Sequence, residues 1–194
     1  MTARPVATAG VNSRIILLNG ASSAGKSTLA RAVQAALEDP FERVSSDLLE
    51  GGIPKRWGGN DAWWREARPR FFAGFHGCIR ALAAAGNDLI VEHVIEFPAW
   101  RTELARLLGP FDVYLVGVHC SLDELERRER QRGDRRLGEG REHLECDRIH
   151  TFGPYDLDVD TTGRDPSALA AELIRCWRGR TASVLHSVAL LGVP

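Results

Sequence analysis

The sequence lacks long hydrophobic runs and any excess of charge of one sign. Its longest apolar stretches, around residues 15–18 and 113–118, have the length of a strand and fall far short of the roughly 20 residues that a membrane-spanning helix needs. The 25 basic and 26 acidic residues nearly cancel, which gives no sign of a nucleic-acid or membrane-surface binder. We therefore expect small-molecule partners, with no nucleic acid and no membrane.

Closely spaced cysteines and a secretion signal are also absent. The cysteines lie far apart and form no C-x-x-C pair, which favours four buried, reduced thiols: Cys78, Cys120, Cys146 and Cys176. Residues 1–13 are small and polar, without the apolar core of a signal peptide. We expect these residues to form a flexible N-terminus, and the protein to be cytoplasmic.

Short apolar, β-branched runs alternate along the chain with helical patterns. This alternation predicts an α/β domain, 1–194, with a mainly parallel sheet covered on both faces. Strands are predicted over 14–19, 41–47, 88–95, 112–120 and 157–162, and helices over 27–37, 67–85, 99–108, 121–131 and 166–177. The tail, 179–194, has no pattern that indicates more than packing on the domain.

The stretch LLNGASSAGKST, residues 17–28, contains the spacing G-x-x-x-x-G-K-[ST] between a predicted strand and a predicted helix. Such a loop binds phosphates because its backbone N–H groups converge on them at a helix N-terminus. Lys26 is expected to reach the β and γ phosphates, and the Ser27 hydroxyl to bind Mg²⁺. The candidate nucleotide-binding residues are Gly20, Ala21, Ser22, Ser23, Ala24, Gly25, Lys26, Ser27 and Thr28.

The guanine-binding signature N-K-x-D is missing, because the only other lysine, Lys55, lies in IPKRW. ATP is therefore the favoured nucleotide.

An arginine-rich segment, RRERQRGDRRLGEGR, covers residues 127–141. Kinases close such segments over the phosphates to neutralise charge away from water, so we predict a mobile lid over 127–150 with glycine hinges at Gly133, Gly138 and Gly140. The alternative is a solvated, salt-bridged helix end.

Two carboxylates follow predicted strands. Asp47, at the end of the second strand, is a candidate base for a hydroxyl acceptor, and helix N-capping is its alternative role. Glu92, at the end of the third strand, is a candidate to orient Mg²⁺ through water or to contact the substrate; alternatively it is a paired, buried carboxylate.

Residues 51–72 are dense in aromatic residues and glycines, which suits an apolar or aromatic acceptor. Trp57, Trp63 and Trp64 are the candidate acceptor-binding rings. Phe71, Phe72 and Phe75 have near-helical spacing and are expected in the core. Structural or surface roles are expected for His76, His93, His119 and His186.

Four stretches resemble the chloramphenicol phosphotransferase family of P-loop kinases: ILLNGASSAGKS, DPFERVSSDLLEGGIP, VGVHCSLDELERRERQRGDR and HTFGPYDLDVDTT. The resemblance extends from residue 15 to about residue 177. It implies a three-layer α/β/α P-loop NTPase fold with five strands, related to shikimate and adenylate kinases. It also implies ATP-dependent phosphorylation of a hydroxyl on chloramphenicol or a related small molecule, which inactivates the antibiotic.

The same resemblance assigns roles to individual residues. Asp47 corresponds to the catalytic base. Lys26, Mg²⁺ and the lid arginines Arg132 and Arg135 would stabilise the transferring phosphoryl group, with Arg136 as a further lid residue. The segment containing Thr161 and Thr162 would flank adenine.

Two departures leave the acceptor open. Residues 55–70 are shorter and differently composed than in the family, and Glu92 and His93 stand where the family tends to have paired aspartates. Two other functions stay possible on the sequence: a toxin-like kinase of a UDP-sugar, and a nucleotide-binding regulator that signals by lid closure. The oligomeric state is not indicated.

Overall fold

Five parallel strands form the centre of the structure, a computed structural model that describes residues 13–58, 61–132, 137–181 and 183–185. The strands are β1 (Arg14–Asn19), β2 (Phe41–Ser45), β3 (Asp88–His93), β4 (Asp112–His119) and β5 (Leu157–Asp160), and their order in the sheet is β2-β3-β1-β4-β5. All paired strands run parallel. The predicted parallel five-stranded sheet is confirmed, and its central strand β1 leads directly into the phosphate-binding sequence.

The helices are α1 (Lys26–Ala36), α2 (Ser46–Glu50), α3 (Lys55–Gly58), α4 (Asp61–Ala84), α5 (Pro98–Leu108), α6 (Leu122–Arg132), α7 (Glu139–Glu145) and α8 (Pro166–Gly179). Within the described residues, no helix is both long and apolar enough to cross a bilayer.

Alternate side chains of the strands point into two hydrophobic layers. On one face, Ile16 and Leu18 pack in a cluster with residues of α1 and α8. On the other face, Ile15 and Leu17 pack with residues of α4 and α5. Because both faces are covered, the strands are continuously apolar, and all four of these β1 side chains are fully buried.

The elements around the acceptor sequence differ from the predicted ones. β2 ends at Ser45, and the next residues form the short helix α2. α4 begins at Asp61, six residues before the predicted start, and continues through Pro69. Residues 55–58 and 61–66, for which the sequence predicts no helix, are therefore helical, and the helices carry the aromatic rings of this segment.

Two predictions about exposure are wrong in part. Ser13, placed in the flexible N-terminus, is 1% exposed and its hydroxyl donates to the Ala83 carbonyl at 2.7 Å; residues 1–12 lie outside the described part. All four cysteines are free as predicted, but Cys146 is exposed and the other three are only partly buried.

Candidate active site

The phosphate-binding sequence forms a tight loop between β1 and α1. Gly25 has φ +94°, a conformation that L side chains rarely adopt, and Ser23 has φ +62°. The Lys26 ammonium group turns back over the loop and donates to the carbonyl oxygens of Gly20 and Ala21, both at 2.8 Å. This folding of the lysine over its own loop places a positive charge where phosphates of a nucleotide bind in P-loop proteins.

Arg128 and Thr161 hold the phosphate loop in place through hydrogen bonds. The Thr161 hydroxyl donates to the Ala24 carbonyl at 2.7 Å, and the Arg128 guanidinium donates to the Thr161 hydroxyl at 3.1 Å and to its carbonyl at 3.0 Å. Arg128 is in turn held by Glu124, one turn earlier on α6, at 2.8 Å. These bonds join α6 and the end of β5 to the phosphate loop.

Helix α7 packs on the other side of the loop. The Ser22 N–H donates to His143 Nδ1 at 3.1 Å, and the Ser22 hydroxyl donates to Glu139 at 3.1 Å. Gly140 permits this approach, since a Cβ there would lie 2.0 Å from Leu125 Cδ2 and 2.8 Å from the Ser22 carbonyl oxygen. α7 therefore touches the phosphate loop through three of its residues.

The predicted lid is built partly of these two helices. The buried Glu129 carboxylate, on α6, accepts from the N–H groups of Gly138 and Gly140 at 2.8 Å each, so it joins α6 to the start of α7. Gly138 has φ +86° at the N-cap of α7. Gly133, Arg135 and Arg136 lie outside the described residues, as does the side chain of Arg132 at the end of α6.

A cavity of about 610 Å³ connects the phosphate loop with the carboxyl ends of β2 and β3. Of the predicted site residues, the following line it: Ser22, Ser23, Gly25, Lys26, Ser27, Thr28, Asp47, Trp64, Glu92 and Thr161. Gly20, Ala21, Ala24, Trp57, Trp63 and Thr162 do not. Thr162 instead accepts from the Ser121 N–H at 2.8 Å, ahead of the first turn of α6.

Asp47 lies in α2 and lines the cavity together with Glu139 and His143 of α7. Its predicted alternative role as a helix cap belongs to Ser45, whose hydroxyl accepts from the Leu48 N–H. Asp47 is exposed and lines the same cavity as Lys26 and Ser27. A carboxylate thus faces the space beside the phosphate loop, where a hydroxyl acceptor would meet a γ-phosphate.

Residues of α4 form an aromatic and charged wall of the cavity. Trp64, Arg68 and Phe72 of α4 line it together with Glu96, and Arg68 is ion-paired with Glu96. The Arg68 guanidinium also lies 5.0 Å from the centre of the Phe72 ring. Burial raises the pKa of the Glu96 carboxyl, and Arg68 opposes that rise.

The other two tryptophans predicted to bind the acceptor, Trp57 and Trp63, do not line the cavity. The ring of Trp57 is 5.9 Å from that of Trp63, and Trp63 is 6.2 Å from Trp64. They support Trp64 and stay outside the cavity. Phe72 and Phe75 belong to the core as predicted, but Phe72 also lines the cavity.

Glu92 is a paired, buried carboxylate, which was the alternative to its predicted roles in orienting Mg²⁺ or contacting the substrate. It is 5% exposed and accepts from the Arg43 guanidinium at 2.9 Å. Because it also lines the cavity, the pairing does not remove it from the site.

Two histidines of the site were missed as site residues. His143, whose neutral ring accepts from Ser22, has its pKa lowered to about 4, chiefly by burial and next by the charge of Lys26. His93 lines the cavity at the end of β3, and burial holds its pKa well below the usual value. For His93 a signal was available, since it stands with Glu92 where the family tends to have paired aspartates. The sequence around His143 carries no motif, and only the contact of α7 with the phosphate loop identifies it.

Glu96, His143 and Asp147 bring one ligand atom each within 4.8 Å of one another. Glu96 is already paired with Arg68, and Lys26 is close enough to lower the pKa of His143. The positive charges of Arg68 beside Glu96 and of Lys26 near His143 disfavour a cation at this group, so we assign no metal to it.

The comparisons with known proteins identify the family and the fold. The family described as chloramphenicol phosphotransferase-like protein matches residues 13–178. A protein of Mycobacterium tuberculosis (strain H37Rv), provisionally named an O-phosphotransferase, is 31% identical over 89% of this chain and 86% of its own length.

Solved structures of kinases have the same fold. The APS kinase of Mycobacterium tuberculosis in complex with AMPPNP and APS is 21% identical, with a TM-score of 0.64 over 88% of this chain and all of its own. Shikimate kinase from Acinetobacter baumannii in complex with shikimate is 16% identical, with a TM-score of 0.57 over 84% of this chain and 91% of its own. With the family match spanning most of its length, the chain belongs to the chloramphenicol phosphotransferase-like family of P-loop O-phosphotransferases.

Proposed function

We propose that this kinase transfers the γ-phosphoryl group of ATP to a hydroxyl of chloramphenicol or of a related small molecule. The observation that carries the proposal is the single cavity that Lys26, Asp47 and the Trp64–Arg68–Phe72 wall share. A phosphate-binding group, a carboxylate and an acceptor-sized space are the parts that phosphoryl transfer to an alcohol needs. Inactivation of an antibiotic in the cytoplasm would be the biological result.

The phosphate loop and the segment after β5 form the nucleotide half of the cavity. The buried hydroxyl oxygen of Ser23 has no hydrogen-bond partner among the described residues, and Ser23 lines the cavity. An orphaned polar atom in a phosphate-binding loop fits an anionic ligand. Arg164 and Leu169, after Thr161, line the same half and fit the place proposed for adenine.

Mg²⁺ fits the oxygen atoms beside the loop. The Ser27 hydroxyl would bind it, and Glu92, held in place by Arg43, would orient it through water. The bound ion would neutralise charge on the β and γ phosphates.

In the proposed reaction, the acceptor hydroxyl binds between Asp47 and the phosphate loop. Asp47 accepts the hydroxyl proton while the oxygen forms a bond to the γ-phosphorus, and the bond from that phosphorus to the β–γ bridging oxygen breaks to release ADP. Lys26 stabilises the negative charge that develops on the transferred group. The same negative charge would be stabilised by the predicted lid residues Arg132, Arg135 and Arg136.

The test is phosphoryl transfer from labelled ATP with Mg²⁺ to a panel that contains chloramphenicol, shikimate and a UDP-sugar. Replacing Asp47 with Asn should lower kcat about 10²- to 10⁴-fold, because the base is lost while the shape is kept. ATP affinity should stay within about twofold. The matched control is Glu42→Gln, which changes an exposed carboxylate on β2 outside the cavity lining and should leave kcat unchanged.

The outcomes separate the possible functions. Labelled chloramphenicol supports the proposal, and a labelled UDP-sugar would instead make the protein a kinase of that class. ATP binding with no labelled product, unaltered by Asp47→Asn, would indicate a nucleotide-binding regulator and overturn the proposal.

A further inference from the structure

His93, the last residue of β3, is a buried group that the proposed reaction does not use. Its side chain is 1% exposed, and its ring packs 5.7 Å from Phe72, 5.2 Å from Phe75 and 5.7 Å from Trp100, measured between ring centres. The residue also lines the cavity. An imidazole held by three rings at the edge of a binding site has a fixed orientation.

A chain of two hydrogen bonds fixes which nitrogen of His93 carries the proton. Glu103 on α5 lies 2.9 Å from His76 Nδ1, and His76 Nε2 lies 2.9 Å from His93 Nε2. An ionised carboxylate only accepts, so His76 Nδ1 must be the donor to Glu103. Burial lowers the pKa of His76, so the ring is neutral and its Nε2 has a free lone pair.

The hydrogen bond between the two rings also fixes the proton on His93. His76 Nε2 accepts, so the hydrogen between the two Nε2 atoms belongs to His93. The His93 ring is also neutral, because burial depresses its pKa strongly. Its Nδ1 atom is therefore an acceptor, and it has no hydrogen-bond partner among the described residues. A buried acceptor left without a donor is unfavourable, so a ligand that supplies one is favoured.

We propose that His93 Nδ1 binds a hydroxyl or N–H group of the phosphoryl acceptor, and that Glu103 acts through His76 to keep this nitrogen unprotonated. The proposal rests on the proposed function, since it places the acceptor in this part of the cavity. His93 is thereby a specificity residue, and Glu103 and His76 are positioning residues.

The proposal narrows the class of acceptor. A carboxylate or phosphate group carries no proton to donate to Nδ1, whereas a hydroxyl or amide does. Arg68, the arginine of the α4 wall, is already paired with Glu96. The His93 end of the acceptor should therefore carry a hydroxyl or N–H group and no carboxylate or phosphate.

The first test reads the tautomer directly and needs no substrate. In the full-length protein labelled with ¹⁵N-histidine, the ring-nitrogen spectrum at pH 7 should show His93 with a protonated Nε2 and an unprotonated Nδ1. Glu103 is one-third exposed, so Glu103→Leu can remove the acceptor of His76 without opening the core, and the His93 tautomer should then become mixed. Glu103→Gln is the matched control, because its amide oxygen still accepts. A protonated Nδ1 in the unmodified protein, or an unchanged tautomer in Glu103→Leu, overturns the proposal.

The second test uses chloramphenicol and ATP. His93→Phe keeps the ring packing and removes the acceptor, so the KM for chloramphenicol should rise about tenfold with kcat changed less than threefold. His119→Phe, at the corresponding end of β4 and outside the cavity lining, should leave both constants unchanged. An unchanged KM in His93→Phe contradicts the proposal. Failure of the unmodified protein to phosphorylate any panel compound would instead contradict the proposed function and, with it, acceptor binding by His93, whereas the tautomer spectrum still tests the Glu103–His76–His93 hydrogen-bond chain separately.

Discussion

Gly20 occupies a position where the phosphate loop passes against the backbone of β4. A Cβ at this position would lie 2.4 Å from the Val118 carbonyl oxygen, closer than any real Cβ contact. Backbone atoms move less readily than side-chain ends, so alanine would push the loop away from the sheet.

We expect Gly20→Ala to lower the free energy of unfolding by about 1–3 kcal/mol and to weaken ATP binding. Gly74→Ala is the matched control, because Gly74 is an exposed residue inside α4 with nothing within 4 Å of an added Cβ. That change should stabilise the protein slightly, by about 0.5–1 kcal/mol. Urea unfolding of both variants measures the difference, and equal effects would contradict the argument.

Single residues were predictable where one contiguous motif defines them. The phosphate loop and Lys26 belong to such a motif, with a strand before it and a helix after it. Arg68 lies on α4, Glu96 in the loop between β3 and α5, and His143 on α7, so no spacing rule relates them. They meet at the cavity because the fold brings α4, the loop after β3 and α7 together, which is tertiary information that no local pattern carries.

Among the elements, the strands and the helices that cover the sheet were predictable because burial on both faces makes strands continuously apolar. The start of α4 was not predictable from the sequence. Glycines and Pro69 favour a loop locally, but the aromatic contacts from Trp63 through Trp64 to Phe71 and the core position of Phe72 stabilise a helix there. Packing outweighed the local preference.

The segment after α8 contributes to the fold despite its featureless sequence. The Asp156 carboxylate accepts from the Val184 N–H at 2.7 Å and from the Leu115 N–H at 2.7 Å, and Leu185 is 1% exposed within the cluster beneath α4 and α5. One carboxylate thus ties residue 184 to the central sheet. Packing of the tail on the domain, expected from the sequence, holds for residues 183–185.

Leu185→Ala should reduce the free energy of unfolding by about 2–5 kcal/mol, since it leaves a cavity in a closely packed cluster. The same substitution at Leu137, whose side chain is largely exposed, should change it by less than about 0.5 kcal/mol. Thermal and urea unfolding provide the comparison. A loss at position 185 no larger than at position 137 would show that the segment does not contribute to the core.

The molecule as a whole buries several neutral histidines on different elements. Burial is the main cause that lowers the pKa of His143 and of His150 to about 4. Burial also lowers the pKa values of His76 and His93. In the unfolded chain these rings titrate near their ordinary value of about 6.5. Between pH 4 and 6.5 the unfolded state therefore binds more protons, so the free energy of unfolding falls as the pH is lowered through this window.

Each histidine with a folded-state pKa of about 4 should cost about 1 kcal/mol of stability between pH 7 and pH 5.5. His143→Gln should remove one such contribution, because an amide oxygen still accepts from the Ser22 N–H without titrating. Urea unfolding at the two pH values tests this, with each protein's value at pH 7 as its own reference. The same loss in both proteins would mean that His143 is not held neutral.

The contact of Gly140 with Ser22 couples α7 to the nucleotide site in a thermodynamic sense. Ser22 belongs to the phosphate loop, and it bonds to both Glu139 and His143. Any ligand whose affinity depends on the position of α7 must, by linkage, shift the docking equilibrium of α7 by the same factor. The affinity for ATP and the protection of α7 amides from hydrogen exchange then both report the same coupling free energy. Either quantity can be measured without knowledge of the acceptor.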